Sequence, residues 1–157
     1  NLDLAFVLLG MGQERYHDLC EQWVARWPGR FAVRLGYDNP LAHRIEAGAD
    51  VYLMPSRFEP CGLGQLYSLR YGAIPVVHAT GGLEDTIEDI GGNPGQGTGF
   101  KFKSYTAEGL LSAIHRALEH MKDAPAWHDL MKRAMAQDFS WDRAADEHLS
   151  LYRRLLT

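Results

Sequence analysis

One loop concentrates the side chains that are best suited to chemistry. The carboxylate of Glu59 lies between a short apolar run, Val51–Met54, and a helical pattern that begins near Leu63. Ligands of open α/β sheets bind at the carboxyl ends of strands, and Pro60 biases the backbone of Glu59 toward an extended conformation that presents the side chain outward. We therefore expect Glu59 to accept hydrogen bonds from ligand hydroxyls or to stabilise developing positive charge. The alternative is a solvated acid that pairs with Arg57.

Two glycines are placed where a ligand anion would bind. Gly62 and Gly82 each lie at the start of a probable helix, after two successive apolar runs. Unpaired N–H groups and the helix dipole favour negative charge at such a position, so the phosphates of a nucleotide would suit one or both. The alternative is that each glycine only makes a tight turn. Two glycines in adjacent units favour ligand binding, although neither belongs to a Walker loop.

Other candidate residues carry weaker signals. Tyr37 follows Gly36 at the end of another predicted strand, where its ring is suited to stack on a nucleobase, with packing at the rim as the alternative. Cys61 has no histidine close in sequence, so we expect it to line the pocket and not to act as a nucleophile. The seven histidines show no metal-ligand spacing, and no metal is expected.

Strands and helices alternate along the chain, which predicts an α/β fold with a Rossmann-like parallel sheet covered by helices on both faces. The predicted strands are Leu4–Leu9, Phe31–Leu35, Val51–Met54, Ile74–His78 and a short edge strand, Phe100–Phe102. The predicted helices run from Tyr16 to Trp27, Pro40 to Gly48, Leu63 to Tyr71 and Gly82 to Ile90, followed by extra C-terminal helices capped by Thr106, spanning Pro125 to Gln137, and capped by Ser140.

The C-terminal helices carry clear apolar stripes. The first is expected to bury Leu110, Leu111, Ile114, Leu118 and Met121. Trp127 and Trp141 are interpreted as packing anchors. The stripe of the last helix includes Leu149, Tyr152 and Leu156. We expect this helix to pack against another domain of a longer protein, so that in this chain the stripe is partly exposed and promotes self-association.

Composition limits the classes of protein that the chain can represent. Its 157 residues, 46% of them hydrophobic, predict a single domain over residues 1–157 with a real core. A net charge of -4 disfavours nucleic acid or an anionic membrane as the main partner. Cys20 and Cys61 lie in unrelated contexts, which predicts no disulfide and a cytoplasmic setting. An apolar strand begins almost directly after Asn1, so we expect the chain to be a piece of a longer protein.

The joint pattern of motifs resembles one enzyme family. Residues 55–67, Pro-Ser-Arg-Phe-Glu-Pro-Cys-Gly-Leu-Gly-Gln-Leu-Tyr, resemble the signature loop of bacterial glycogen synthases and plant starch synthases, and residues 80–86 resemble their second signature. Residues 36–38, 48–51, 97–100 and 139–141 match further landmarks of that family. The resemblance runs nearly end to end.

This resemblance implies a retaining glycosyltransferase of the GT-B type, in which two Rossmann-like domains close over a nucleotide sugar. The chain would be most of the C-terminal, nucleotide-sugar-binding domain. The family transfers glucose from ADP-glucose to the non-reducing end of an α-1,4-glucan. ADP-glucose or ADP and the glucan are thus the implied partners, the glucan acting through the missing N-terminal domain, and no cofactor is expected.

The resemblance also assigns roles by position. Glu59 would contact the donor glucose and support transfer, and Tyr37 would stack on adenine. The remaining substrate-binding set, which would hold the sugar or the phosphates, is Arg57, Cys61, Gly62, Leu63, Thr80, Gly81 and Gly82. Tyr67 replaces the second glutamate that many related enzymes use for ribose, so the ribose-binding residue is left unassigned.

The resemblance leaves two alternative identities for the chain, and it implies that the isolated chain is inactive. The chain would otherwise be a domain of another GT-B retaining transferase that uses a different nucleotide sugar, or a non-catalytic Rossmann-like binding module. In the resembling family the basic residues that neutralise the diphosphate would precede Asn1. A diphosphate leaving group needs positive charge. We therefore expect the isolated chain to bind nucleotide weakly and to transfer no glucose.

Overall fold

The computed structural model of the protein describes residues 2–156, in which strands and helices alternate from the start. The strands are β1 (Phe6–Gly10), β2 (Phe31–Leu35), β3 (Val51–Met54), β4 (Ile74–His78) and β5 (Phe100–Phe102). The helices are α1 (Glu14–Arg26), α2 (Asn39–Gly48), α3 (Gly64–Tyr71), α4 (Gly81–Thr86), α5 (Ala107–Met121), α6 (Ala124–Met135) and α7 (Trp141–Leu155).

The described residues form two units, and the division falls within α2. Unit 1 comprises the described residues up to Ile45, and unit 2 begins at Glu46. The described strands form two sheets, β1-β2 and β3-β4-β5, and the strands within each sheet run parallel. The sequence predicted a single sheet. Consecutive strands pair in only about two-thirds of cases, so alternation of elements does not by itself fix sheet membership.

Unit 1 is a small βαβ unit built around aromatic contacts. β1 and β2 pair in parallel, with Phe6 opposite Phe31. The rings of these two residues stack at 5.2 Å, and Trp23 of α1 meets Phe31 edge-on at 5.3 Å. The apolar stripe of α1 thus covers the two-stranded sheet, as its helical spacing predicts.

Unit 2 contains the main core, and β4 is its central strand. β4 pairs in parallel with β3 on one side and β5 on the other, and all five of its residues are buried. This explains why its sequence is almost continuously apolar instead of alternating. The fully buried apolar side chains around it include Leu69, Leu83, Ile87, Phe100 and Leu130, contributed by α3, α4, β5, α6 and the segment after α4.

Helix ends follow the capping signals in the sequence. Gly72 ends α3 in the left-handed region, at φ 81°. The side chains of Thr106 and Ser140 accept hydrogen bonds from the N–H groups of Gly109 and Arg143, and so cap α5 and α7 as predicted. Asp123 caps α6 in the same way, which the sequence interpretation missed.

One predicted helix is wrong in length. α4 ends at Thr86 and does not continue to Ile90. The backbone becomes extended at Ile87, and the N–H of Thr98 then donates to the carbonyl of Glu88 at 2.9 Å. Part of the glycine-rich segment therefore pairs with Glu88, a residue that was predicted to belong to the helix.

Two predictions about packing in the C-terminal helices are wrong in part. Leu110, Ile114 and Met121 of the predicted α5 stripe pack against the core. Leu111 is 45% exposed instead, and the fully buried residues of the helix are Ala113 and Ala117. Small side chains let the helix lie close to the sheet, which a search for large apolar residues does not detect. Trp127 is buried as predicted, but Trp141 is 90% exposed and anchors nothing among the described residues.

Candidate functional site

Glu59 lies in the loop that follows β3, as predicted. Its side chain is partly buried, and the Ser56 hydroxyl donates a hydrogen bond to Glu59 Oε2 at 3.4 Å. The alternative pairing with Arg57 is not observed, because Arg57 is exposed and makes no ion pair within residues 2–156. The carboxylate is thus oriented by a neutral donor and not by a cation.

The first signature loop packs backbone to backbone against the second. The N–H of Gly82 donates to the carbonyl oxygen of Glu59 at 2.9 Å. A Cβ on Gly81 would overlap that same oxygen, and a Cβ on Gly82 would overlap the carbonyl oxygen of Cys61. Gly81 also has φ 47°, which favours glycine. These two glycines are therefore required where the loops meet.

This contact changes what Gly82 offers to a ligand. Its N–H is occupied by a protein carbonyl, and the residue is buried. In this structure Gly82 therefore fits the alternative role, in which the glycine only makes a tight turn. Direct contact of Gly82 with a phosphate stays a prediction. Thr80 lies just before α4 in an extended conformation, and its carbonyl accepts from the N–H groups of Leu83 and Glu84.

Gln65 joins the two loops, and the sequence interpretation missed it. Its side chain is fully buried, and Nε2 lies 2.9 Å from Cys61 O, 3.0 Å from Gly62 O and 3.2 Å from Thr86 Oγ1. Thr86 in turn donates to the carbonyl of Gly82. The one signal available in the sequence is position: Gln65 comes three residues after Gly62, at the start of a predicted helix.

The start of α3 presents backbone donors. Gly62 is in the left-handed region, and the N–H groups of Gly62, Leu63 and Gly64 have no protein acceptor within residues 2–156. Free N–H groups at the start of a helix attract anions and polar ligand atoms. This is the part of the predicted phosphate or sugar site that the backbone geometry supports most directly. The Cys61 thiol beside it is exposed and free.

Tyr52 on β3 lies beneath this turn. A Cβ on Gly64 would overlap the Tyr52 hydroxyl, which explains why no larger residue fits at position 64. Burial raises the pKa of Tyr52 above its ordinary value, and the nearby carboxylates of Glu46 and Glu59 raise it further. The Tyr52 hydroxyl is therefore a neutral group within electrostatic reach of Glu59.

His78 fixes the other end of the loop. It is the last residue of β4 and is buried, with Nδ1 2.8 Å from the carbonyl oxygen of Ser56 and Nε2 3.3 Å from that of Lys103. Since Ser56 also contacts Glu59, His78 supports the carboxylate indirectly.

Tyr37 belongs to unit 1 and follows β2. It is 88% exposed, and the preceding Gly36, at φ 134°, donates its N–H to the carbonyl of Gly10. Asp38 caps α2 through its side chain, which accepts from Leu41 N at 3.0 Å. The ring of Tyr37 is thus presented to solvent on an ordered turn, and its stacking on adenine stays a prediction.

One concave region of unit 2 contains none of the predicted site residues in its lining. This open cavity of about 520 Å³ lies between the segment after α4 and the C-terminal helices. Its lining includes Arg133 and Arg143 as well as Asp85 and Glu88. It is a rival location for an anionic ligand, although its mixed charges and the absence of a glycine turn comparable to Gly62 make it the weaker candidate.

Two further properties concern metals and membranes. No group of three or more His, Cys, Asp or Glu side chains suited to a metal ion is found in residues 2–156. None of the helices in the same range is long and apolar enough to span a bilayer.

The fold and the loops together define a class of protein. Parallel βα units with glycine-containing loops at the carboxyl ends of strands form a Rossmann-like α/β fold, and its solved structural neighbours are GT-B glycosyltransferases. One is the catalytic domain of starch synthase IV from Arabidopsis thaliana bound to ADP and acarbose. It superimposes with a TM-score of 0.84 at 36% identity and covers 96% of this chain and 32% of that one.

Residues 3–134 match the family described as glycosyl transferases group 1, and the chain belongs to that family. It is 54% identical over 149 residues to a glycogen synthase of Koribacter versatilis and 56% identical over 153 residues to one of Anaeromyxobacter sp. strain Fw109-5. These alignments cover 95% and 98% of this chain. The chain spans about a third of the length of these relatives, 31% and 32% respectively.

Proposed function

We propose that the chain is the donor-binding part of a glycogen synthase, an enzyme that transfers glucose from ADP-glucose to the non-reducing end of an α-1,4-glucan with retention of configuration. The observation that carries the proposal is the joined pair of signature loops. Glu59, held by Ser56 and Gly82, belongs to the same loop as the free N–H groups at the start of α3, which supports the proposal. Similarity to glycogen synthases and to an ADP-bound starch synthase supports the choice of nucleotide.

In this proposal the two loops contact different parts of the donor. Glu59 binds hydroxyls of the donor glucose and stabilises the positive charge that develops at the sugar during transfer. The backbone at Cys61, Gly62 and Leu63 contacts glucose hydroxyls or phosphate oxygens, because its N–H groups have no protein acceptor. Gly81 and Thr80 border the same site, and Arg57 supplies a cation from the exposed edge of the loop.

The charge balance of the loops limits what the chain does alone. Within residues 55–64 and 80–86 Arg57 is the single basic residue, against the three acids Glu59, Glu84 and Asp85. One cation is too little to stabilise a diphosphate leaving group. We expect the 157-residue chain to bind ADP weakly and to transfer no glucose, and glucan synthesis by the purified chain would contradict this.

The catalytic role of Glu59 is tested in the longer protein. Glu59→Ala is expected to lower kcat by about 100-fold or more, as loss of a transition-state contact does, while the KM for ADP-glucose changes less. Glu119→Ala removes an exposed acid of α5 and is the matched control, expected to leave both constants unchanged. Normal glucan synthesis by the Glu59 variant would favour a non-catalytic binding module.

The nucleotide is tested separately. ADP-glucose and UDP-glucose compete as donors for the longer protein, and we expect ADP-glucose to be used preferentially. A preference for UDP-glucose would assign the chain to another retaining transferase of the same fold. The setting is proposed to be cytoplasmic, which is compatible with two cysteines that are both free.

A further inference from the structure

Tyr52 of β3 carries a hydroxyl group that the described part of the chain does not use. The hydroxyl makes no hydrogen bond within residues 2–156. The side chain is only partly buried, and its oxygen is not enclosed by protein, so a ligand can reach it. Polar groups at the edge of a protein interior normally have a partner. The Tyr52 hydroxyl is therefore a candidate for contact with a ligand.

This hydroxyl lies at the first turn of α3. A Cβ on Gly64 would overlap the hydroxyl oxygen and would lie 3.1 Å from the Cζ atom of the Tyr52 ring. In a helix the Cα–Cβ bond tilts toward the N-terminus, so a group in the place of that Cβ lies on the same side as the first N–H groups of the helix. Backbone dimensions put the hydroxyl oxygen within about 5 Å of the Gly64 nitrogen.

Position 64 needs a glycine for space and not for backbone conformation. The φ of Gly64 is not positive, so a residue with a side chain could adopt the same backbone. The three atoms nearest to an added Cβ all belong to Tyr52. The room that a side chain at position 64 would take is therefore given to a hydroxyl group from β3.

The surroundings of the hydroxyl keep it protonated, so that it can donate. Burial, followed by the carboxylates of Glu46 and Glu59, raises the pKa of Tyr52 above its ordinary value. The N–H groups of residues 62–64 beside it are donors too, and they have no protein acceptor within residues 2–156. A phosphate oxygen only accepts hydrogen bonds, and so it matches a cluster of donors. A sugar hydroxyl also needs an acceptor, which Glu59 supplies.

One phosphate oxygen can accept from the Tyr52 hydroxyl and the Gly64 N–H together. Bonds of the O–H···O and N–H···O types are about 2.7 and 2.9 Å long, so two such donors reach one oxygen when they lie no more than about 5.6 Å apart. We propose, on the basis of the proposed function, that Tyr52 is a further substrate-binding residue, and that its hydroxyl donates to a phosphate oxygen of ADP or ADP-glucose at the start of α3. This neutral donor adds to the anion binding of loops in which Arg57 is the single basic residue.

NMR titration of the 157-residue chain with ADP, and separately with adenosine, tests the proposal. Tyr52→Phe removes the hydroxyl and keeps the ring. It is expected to weaken ADP binding about tenfold, as loss of a hydrogen bond to a charged group does, and to leave adenosine binding unchanged. In a chain labelled with ¹³C at tyrosine Cζ, the Tyr52 signal should move with ADP and not with adenosine. Tyr152→Phe removes an exposed hydroxyl of α7 and is the matched control.

A second variant tests the geometry on which the proposal depends. Gly64→Ala adds the methyl group that displaces the Tyr52 hydroxyl, and it is expected to weaken ADP binding to a similar degree. Added to Tyr52→Phe, it should have little further effect, because two changes that remove the same contact are not additive. Fully additive losses would contradict a shared contact.

The outcomes separate this contact from the proposed function. If ADP shifts the amide signals of residues 62–64 and binds with equal affinity to the original chain and to Tyr52→Phe, the contact is refuted and the donor site stands without it. If ADP shifts none of these signals in either chain, the donor-binding role and the contact are refuted together. Equal weakening of ADP and adenosine binding would also overturn the contact, because the hydroxyl would then only support the fold.

Discussion

Glu59 is held by one residue of its own loop and by one residue of the second signature loop. The Ser56 hydroxyl donates to its carboxylate, and the N–H of Gly82 donates to its carbonyl oxygen. The negative charge of Glu59 also acts on the buried, neutral hydroxyl of Tyr52. Such close support is what a carboxylate needs if it is to meet a ligand in one orientation. It also makes the position of Glu59 measurable without a ligand.

The titration of Tyr52 reports that position. Glu59→Gln removes a negative charge that raises the pKa of Tyr52, so the tyrosine is expected to ionise at lower pH in the variant, measured by tyrosinate absorbance or NMR. Glu46→Gln should lower this pKa more, because Glu46 raises it more strongly. Glu119→Gln, far along α5, is expected to change nothing. An unchanged Tyr52 pKa in Glu59→Gln would mean that the carboxylate lies elsewhere.

The same shift affects stability at high pH. The pKa of Tyr52 is higher in the folded chain than the 10.0 of an unperturbed tyrosine. Below that value both states keep the proton, and the favourable contribution is complete. As pH rises above it the unfolded state loses the proton first, so the free energy of unfolding falls. Tyr52→Phe should show a smaller fall in urea denaturation between neutral pH and pH values above 10.0.

Gln65 is expected to be as important as the residues it holds. Gln65→Glu replaces a buried donor with a carboxylate facing the carbonyls of Cys61 and Gly62, and should cost about 2–4 kcal/mol of unfolding free energy. Hydrogen exchange at residues 81–86 should quicken as well, because the link through Thr86 is lost. Gln137→Glu, at an exposed site, is the control and should stay within about 0.5 kcal/mol. Equal effects of the two changes would refute the proposed link between loops.

Residue-level function was partly readable from sequence. The carboxylate of Glu59 and the turn at Gly62 were predicted from their position after an apolar run. Gln65 was missed because a glutamine on a helix is expected to face water, and its burial depends on the fold of the second loop around it. Tyr52 was missed for a similar reason, since it reads simply as a strand residue.

At the scale of elements, the contact between α4 and the first loop is decisive. Gly82→Ala would drive a methyl group into the Cys61 carbonyl, and Gly81→Ala adds an unfavourable positive φ. Each is expected to destabilise the chain by about 2–4 kcal/mol in urea denaturation, as steric overlap with backbone does. Gly95→Ala, which meets no close neighbour, should be nearly neutral. If all three variants were equally stable, the two loops would not touch as described.

The start of α7 should respond to acid. Hydrogen bonds from Ser140, backbone first and then side chain, lower the pKa of Asp138 below its usual 3.8, with a further contribution from Arg143. A lowered pKa stabilises the folded form above the unfolded value, and this contribution is lost as pH falls through the folded pKa. The amide of Ser140 should therefore exchange faster below about pH 3.8. Asp138→Asn should abolish most of that pH dependence, and an unchanged dependence would contradict the assignment.

Elements were predicted best where their signals are local. Strands such as Ile74–His78 and the caps Thr106 and Ser140 follow from short patterns, and their predicted positions are confirmed. The end of α4 was predicted wrongly because pairing with Thr98, a contact distant in sequence, overrides its helical pattern. Trp141 was predicted wrongly because an aromatic residue on a stripe does not reveal whether a partner covers it.

At the scale of the whole molecule, the described residues form two units, and the two joined signature loops lie in unit 2. Alternating elements predicted the Rossmann-like class, whereas the division into two sheets depends on strand pairings that no local pattern encodes. The choice of glycogen synthase came from the joint motifs and not from periodicity. The prediction that residues 1–157 form a single domain stays a prediction.

The central claim is that the two signature loops of unit 2 form a nucleotide-sugar site, and NMR titration of the 157-residue chain with ADP and with ADP-glucose tests it most directly. Even weak binding moves the amide signals of residues in contact with ligand. The expected result is that Gly62, Leu63, Gly64 and Gly81 shift with both ligands, and that Glu59→Gln reduces the added effect of the glucose. Shifts confined to the cavity at Arg133 and Arg143, or no shifts at saturating ligand, would contradict the claim.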